Sequence, residues 1–413
     1  MVRYSQQLFF KYGWALPAAL PLAQIVGRAA FTILGVVYIV WAATALCDRR
    51  FSFDRPIMVA YFLLVLAYVL AVPIAAEPLR LLEDYAIFVV FSIVPFFTLA
   101  SLAYVETGQR RLIDVYAWVA ALAVVLLYAL LARGVSQPKF VPEHFMREDN
   151  LPFLAPFLIY GLRRLCTGPK GWWLAGAAAA SMLAYVLMSH GRAALVGLIV
   201  GMAAYAYFVL GQPLRRIFLV AAALLSLAVF ARGEQLIERL REATTIEERI
   251  DTLSSTRTAM WRNALANPPE NIWIGVGIGN AASSSKVFSV VIQQKEQRAS
   301  KHLHNFLLDC WYETGVIGLG ALLIWLGVLL HRALSTWRHS LGEEKAQAGV
   351  LLSASFAIMA NAFFSYSYLS KQFVIYLPLF LLVAAMAAQR TSTTVAPSGA
   401  DPARDRPSAP ALS

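Results

Sequence analysis

Twelve stretches of mostly apolar residues follow one another along this 413-residue chain, at 8–27, 29–47, 56–75, 84–104, 112–132, 150–163, 171–189, 193–211, 213–232, 304–331, 346–368 and 371–389. A membrane-crossing helix needs about 20 such residues, and somewhat fewer where a neighbouring helix helps. Charge is too scarce to build a soluble surface. Asp, Glu, Lys and Arg make up 14% of the residues and hydrophobic types 59%, against about 25% and roughly 45–50% in soluble globular chains. That excludes a soluble enzyme, and it excludes disorder for the body of the chain. Only 391–413, rich in Pro, Ser, Ala and Arg, has the composition of a disordered tail. The expected fold is an all-α, polytopic membrane helix bundle of about twelve transmembrane helices. It divides into spans one to nine within 1–232, a long connection over 233–303, spans ten to twelve within 304–390, and a cytoplasmic tail over 391–413.

Arg3 and Lys11 ahead of an apolar run imitate a secretory signal. Further spans follow at once, so the segment reads as a retained first span. The first two spans join tightly around Gly27 and Arg28, and the sixth is short and carries Pro152 and Pro156. Three cysteines supply neither a disulfide framework nor a CxxC pair.

Lysine and arginine in short connections set the orientation. With the N-terminus cytoplasmic, the inner turns contain Arg49, Arg50 and Arg55, then Arg110 and Arg111, then Arg163, Arg164 and Lys170, then Arg215 and Arg216, and finally the basic stretch from Arg332 to Lys345. The reverse orientation would put all five outside, so both termini are expected in the cytoplasm. Much of the formal charge of +11 is then topological. No aromatic-interleaved basic domain is present to read nucleic acid.

The connection over 233–303 reads as a folded, helical extracytoplasmic subdomain. Leu236 to Arg241 has amphipathic spacing, Thr245 to Glu248 fits a capping box, and Arg257 to Ala266 reads as a short helix stopped by Asn267-Pro268-Pro269. No internal repeat is visible, which weighs against a transporter built from inverted halves.

Four arginines break the inside-positive pattern: Arg28, Arg147, Arg192 and Arg257 fall on the outer ends of spans or in the outer loop. Arg192, in Ser189-His190-Gly191-Arg192, is held in a tight turn between two apolar spans. Cations so placed snorkel to headgroups or face a cavity or partner. Converging guanidinium groups suit a diphosphate, whose oxygens they bind in bidentate pairs. A second informative segment runs from Lys301 to Gly318 and contains His302, His304 and Asn305. Two histidines two residues apart do not have the spacing of a helical zinc pair, and no outer DxD cluster is present to hold a divalent ion. A neutral imidazole at a helix start suits proton abstraction from a sugar hydroxyl instead. Gly315 and Gly318 are expected to let a neighbouring helix approach closely.

His304-Asn305, followed after nine residues by Gly315 and Gly318, resembles the histidine motif of the bacterial O-antigen ligases, a group related to O-antigen polymerases and O-linked oligosaccharyltransferases. The Ser-His-Gly-Arg192 turn, the stretch from Ser255 through Arg257 to Trp261, and Gly275-Val-Gly277-Ile-Gly279 are similar to further parts of that family's pattern. The resemblance covers Ser189 to Gly318 in motifs and the whole chain in architecture.

The resemblance implies a GT-C-like membrane glycosyltransferase of the inner membrane with its active site on the periplasmic side. It implies transfer of a polysaccharide from undecaprenyl diphosphate to the terminal sugar of lipid A-core, inverting, without metal or other cofactor. By position, His304 matches the family's base, and Arg192 and Arg257 match its essential arginines. Arg28 and Arg147 are added as diphosphate ligands from topology, with His302 and Asn305 as possible contributors. The Gly275–Gly279 segment is expected to be a flexible turn under the substrate groove. Competing readings are an O-antigen polymerase, a protein O-oligosaccharyltransferase and a lipid-linked oligosaccharide flippase.

Overall fold

The computed structural model describes residues 2–26, 28–44, 54–72, 78–103, 105, 107–132, 150–166, 169–188, 192–212, 245, 257–281, 302–365, 367–370 and 372–386. Among them all regular structure is helical, consistent with a membrane helix bundle. The helices are α1 (Val2–Tyr12), α2 (Ala15–Val26), α3 (Arg28–Ala43), α4 (Arg55–Leu70), α5 (Pro78–Leu102), α6 (Gly108–Ala132), α7 (Leu151–Leu165), α8 (Pro169–Met188), α9 (Arg192–Phe208), α10 (Arg257–Ala266), α11 (Phe306–His339), α12 (Gly342–Phe364) and, after a π-helical turn over Gln372–Tyr376, α13 (Leu377–Ala385). Of these, α6, α11 and α12 are each long and apolar enough to cross a membrane. Shorter apolar helices come from α3, α4, α5, α9 and the Phe373–Ala385 stretch. The windows at 213–232 and 391–413, the Leu236–Arg241 helix and most of the capping box after Thr245 lie outside the described residues.

The first and last windows depart from single continuous α-helices. The first is two short helices: Gly13 N–H makes the last helical bond, to Phe9 O at 2.7 Å, and Trp14 N–H leaves the ladder for Ser101 Oγ, also at 2.7 Å. The last begins as a π-helical turn before α13 takes over. The short sixth span forms as α7 and sits at the centre. Every residue from Leu151 to Gly161 is buried, against α6, α8, α9 and α12. A central helix needs no lipid-facing length, which is how fifteen residues suffice.

Helices α9 and α12 run antiparallel in close contact. A Cβ on Gly197 would meet Asn361 and Ala357, one on Gly201 would meet Ala357 at 2.7 Å, and one on Gly349 would meet Phe208 O at 2.9 Å. Small residues one turn apart allow this approach. The same register carries the start of α9, at Arg192, to the level of Ser365 just past the end of α12.

The basic turns are tied together. Arg332 pairs with Asp54 at 3.0 Å, and Arg164 with Asp114 at 2.9 Å and Glu343 at 3.5 Å. They mark one end of the bundle. The histidine segment marks the other end of α11.

Candidate functional site

Asn305 opens α11 by accepting from the N–H groups of Leu307 and Leu308 at 3.0 and 3.1 Å. An Asx cap of this kind satisfies donors that the first helical turn leaves bare. Its side-chain oxygen is therefore spent on the helix. One turn on, Asp309 reaches back and its Oδ1 accepts from Leu303 N–H at 2.6 Å. The carbonyl of the same Leu303, a residue fully buried, accepts from Trp261 Nε1–H at 2.8 Å. Leu303 is thus pinned on both sides, immediately ahead of His304.

His304 is the one non-glycine with positive φ among the described residues, at 54°. Left-handed backbone costs an L-residue roughly 1–2 kcal/mol, and such strain persists only where the surroundings enforce it. Here the Leu303 anchors and the Asn305 cap enforce it from either side. The ring then turns toward the end of α12, where Nδ1 lies 3.2 Å from Ser365 O. A carbonyl oxygen only accepts, so this hydrogen bond puts the proton on Nδ1 and the basic lone pair on Nε2.

Trp261 and Arg257 lie one turn apart on α10, and the Trp261 indole packs between Leu303 and the rings of Phe363 and Phe364, each centroid 6.0 Å away. Docking α10 by this indole brings the half-buried Arg257 to His304. The imidazole's proton affinity falls below the ordinary 6.5, first through burial and then through the Arg257 charge, with the Ser365 bond acting the other way. The result is a neutral base beside a fixed cation.

The glycine segment is not the flexible turn expected. Helix α11 breaks at Gly315 (φ 67°, ψ −168°), and residues 271–279 fill the break. Val276 and Gly277 N–H bond to Tyr312 and Glu313 O at 3.1 and 2.9 Å, while Val316 and Ile317 N–H bond to Ile272 and Trp273 O at 3.0 and 3.1 Å. Backbone groups that the helix abandons are satisfied by the turn. A Cβ on Gly275 would collide with the Glu313 carbonyl, and one on Gly315 with the Trp273 carbonyl. What comes close at Gly315 is therefore this turn, not a neighbouring helix.

Beneath the break, Glu313 Oε2 accepts from Tyr368 O–H at 2.7 Å and Oε1 from Ala281 N–H at 3.4 Å. The second bond ties the far side of the turn to α11.

The other sequence candidates are placed in part. Arg192 is the first residue of α9, level with Ser365. Arg28 is the first of α3, which runs parallel to α5: Phe31 packs on Phe91 at 5.6 Å and Tyr38 Oη lies 3.2 Å from Thr98 Oγ1. That sense puts Arg28 toward the end where Tyr68 meets Phe88 and Tyr368. Both side chains, and Arg147 entirely, lie outside the described residues. His302 is half-buried in the His304 loop. No group of three or more His, Cys, Asp or Glu side chains converges among the described residues.

Trp261, Asp309, Glu313 and Ser365 carry roles that the motif reading did not assign. Spacing gave a signal for two of them, Trp261 one turn after Arg257 and Asp309 one turn after Asn305. For Ser365 there was none.

Residues 177–323 match the family described as O-antigen ligase. That stretch contains Arg192, Arg257, the glycine turn and His304, and leaves Arg28 and Arg147 outside. No curated protein matches the chain.

Proposed function

From the similarity to O-antigen ligases over residues 177–323, we propose that this membrane protein is an O-antigen ligase. It moves a polysaccharide from undecaprenyl diphosphate to the terminal sugar of lipid A-core at the periplasmic face of the inner membrane, both termini being cytoplasmic. The observation that carries this reading is the Nδ1–Ser365 bond, which leaves the His304 lone pair on Nε2 next to Arg257.

In the proposed reaction Nε2 takes the proton of the acceptor hydroxyl. The oxygen so released bonds to the donor's anomeric carbon as the carbon–oxygen bond to the diphosphate breaks, and the electron pair leaves with the diphosphate. Attack opposite the leaving group inverts that carbon. Charge grows on the departing oxygens, where fixed guanidinium groups stabilise it. Arg257 serves there, with Arg192 at the start of α9 and with Arg28 and Arg147. Donor binding also neutralises Arg257, so His304 becomes a stronger base once the donor is seated.

Deleting the gene should leave polymerised undecaprenyl-linked glycan alongside uncapped lipid A-core. Chains stopping at one repeat unit would indicate a polymerase instead. Purified protein mixed with lipid-linked glycan and lipid A-core should form product without ATP. No product in a competent assay would favour a flippase.

A further inference from the structure

We infer that the corner formed by Ile272 and Trp273 is submerged at the acyl–headgroup boundary of the membrane, so that the subdomain outside the spans is itself held by lipid. Ile272 and Trp273 are 45% and 63% exposed, and Val316 and Ile317 are 42% and 41% exposed. Paired backbone bonds join Ile272 to Val316 and Trp273 to Ile317, so these four exposed apolar residues lie side by side. The patch continues down α11 through Leu323 and Ile324, both half-exposed two turns on, and past Gly320 and Gly327, which open on empty space. On a long apolar span such a stripe faces acyl chains.

The length of the stripe decides how far it must extend. Val316 to His331, the first polar residue toward the basic end, is fifteen residue steps. At 1.5 Å per residue that is about 22 Å, short of the roughly 30 Å of hydrocarbon. A lipid-facing stripe about 8 Å short of that thickness leaves acyl chains beyond its end to be met by other apolar surface. Ile272 and Trp273 stand at that end, and tryptophan favours that boundary. The corner is rigid as well. Asn271 Oδ1 accepts from Trp273 and Ile274 N–H at 3.1 and 3.3 Å, and the Gly275–Gly315 contact locks the turn behind it. Continuity with the lipid-facing stripe selects lipid as the occupant.

The test uses the full chain in phosphatidylcholine nanodiscs, with Trp273→Cys carrying an environment-sensitive fluorophore. Glu270→Cys, three residues earlier and exposed, serves as the aqueous reference, and the unsubstituted chain labelled in parallel gives the background. The label at 273 is expected to emit to the blue and to be quenched several-fold more by nitroxide on lipid carbon 5 than by iodide, with the reverse at 270. Iodide quenching at 273 overturns the inference. So does quenching by neither agent, which would mean protein covers the corner. If Trp273→Cys does not accumulate, Ile272→Cys gives the same readout.

Discussion

Gly275 and Gly315 meet backbone to backbone, each at a positive φ (74° and 67°) and each without room for a Cβ against the other's neighbours. The contact plugs the break in α11 and fixes the turn that supports the subdomain. Gly275→Ala or Gly315→Ala adds a left-handed penalty of roughly 1–2 kcal/mol per site to a collision with backbone. Either should lower the thermal midpoint by several degrees or prevent accumulation. Gly320→Ala, in open space on the same helix, should be neutral or stabilise by up to about 1 kcal/mol. Thermal unfolding in detergent compares them.

The Leu303 anchors predict a second set of effects. Asp309→Ala leaves the buried Leu303 N–H without its acceptor, a loss of about 1–3 kcal/mol, and should lower kcat more than it raises KM as the His304 loop loosens. Asp309→Asn keeps an acceptor oxygen and should retain most activity. Trp261→Phe keeps a ring but removes the donor to Leu303 O, and should fall between them. Steady-state kinetics on reconstituted protein orders the three.

Acid should inactivate below the usual imidazole range. Burial and Arg257 push the His304 value down from 6.5, and the working form is neutral, so activity persists above the lowered value and is lost as pH falls through it. Arg257→Gln removes the charge and should move the acid limb of the residual kcat/KM to higher pH. A limb that stays put would uncouple Arg257 from His304. Because donor binding neutralises Arg257, the limb in kcat should lie above that in kcat/KM. The same shift has a stability sign. The unfolded chain binds the proton more readily, so His304 destabilises the fold as pH drops below 6.5.

The sequence showed what depends on local chemistry. Helix α10 ends at Ala266 as read: Asn267 N–H makes its last bond, to Asn263 O at 3.0 Å, and the two prolines that follow have no N–H to continue it. The brevity of α7 was visible too, though not its central place, which comes from packing on four helices. The break between α1 and α2 was hidden because apolar residues resume at once from Trp14, and its cause is Ser101, far along the chain. The glycine turn was misread for the same reason. Three spaced glycines look flexible until Tyr312 and Glu313, far along the chain, accept from the N–H groups of Val276 and Gly277. His304 stood out in the sequence as the candidate base, but the bond that sets its tautomer did not, since Ser365 lies just past the end of another helix.

The central claim is that His304 acts through Nε2 as the base, and His304→Asn tests it most directly. Asparagine tolerates the left-handed backbone, so the loop keeps its shape while the base is removed. Reconstituted with lipid-linked glycan and lipid A-core, the variant should insert and bind donor as the parent does, yet form no capped product at any pH. Transfer at the parent rate would contradict the account.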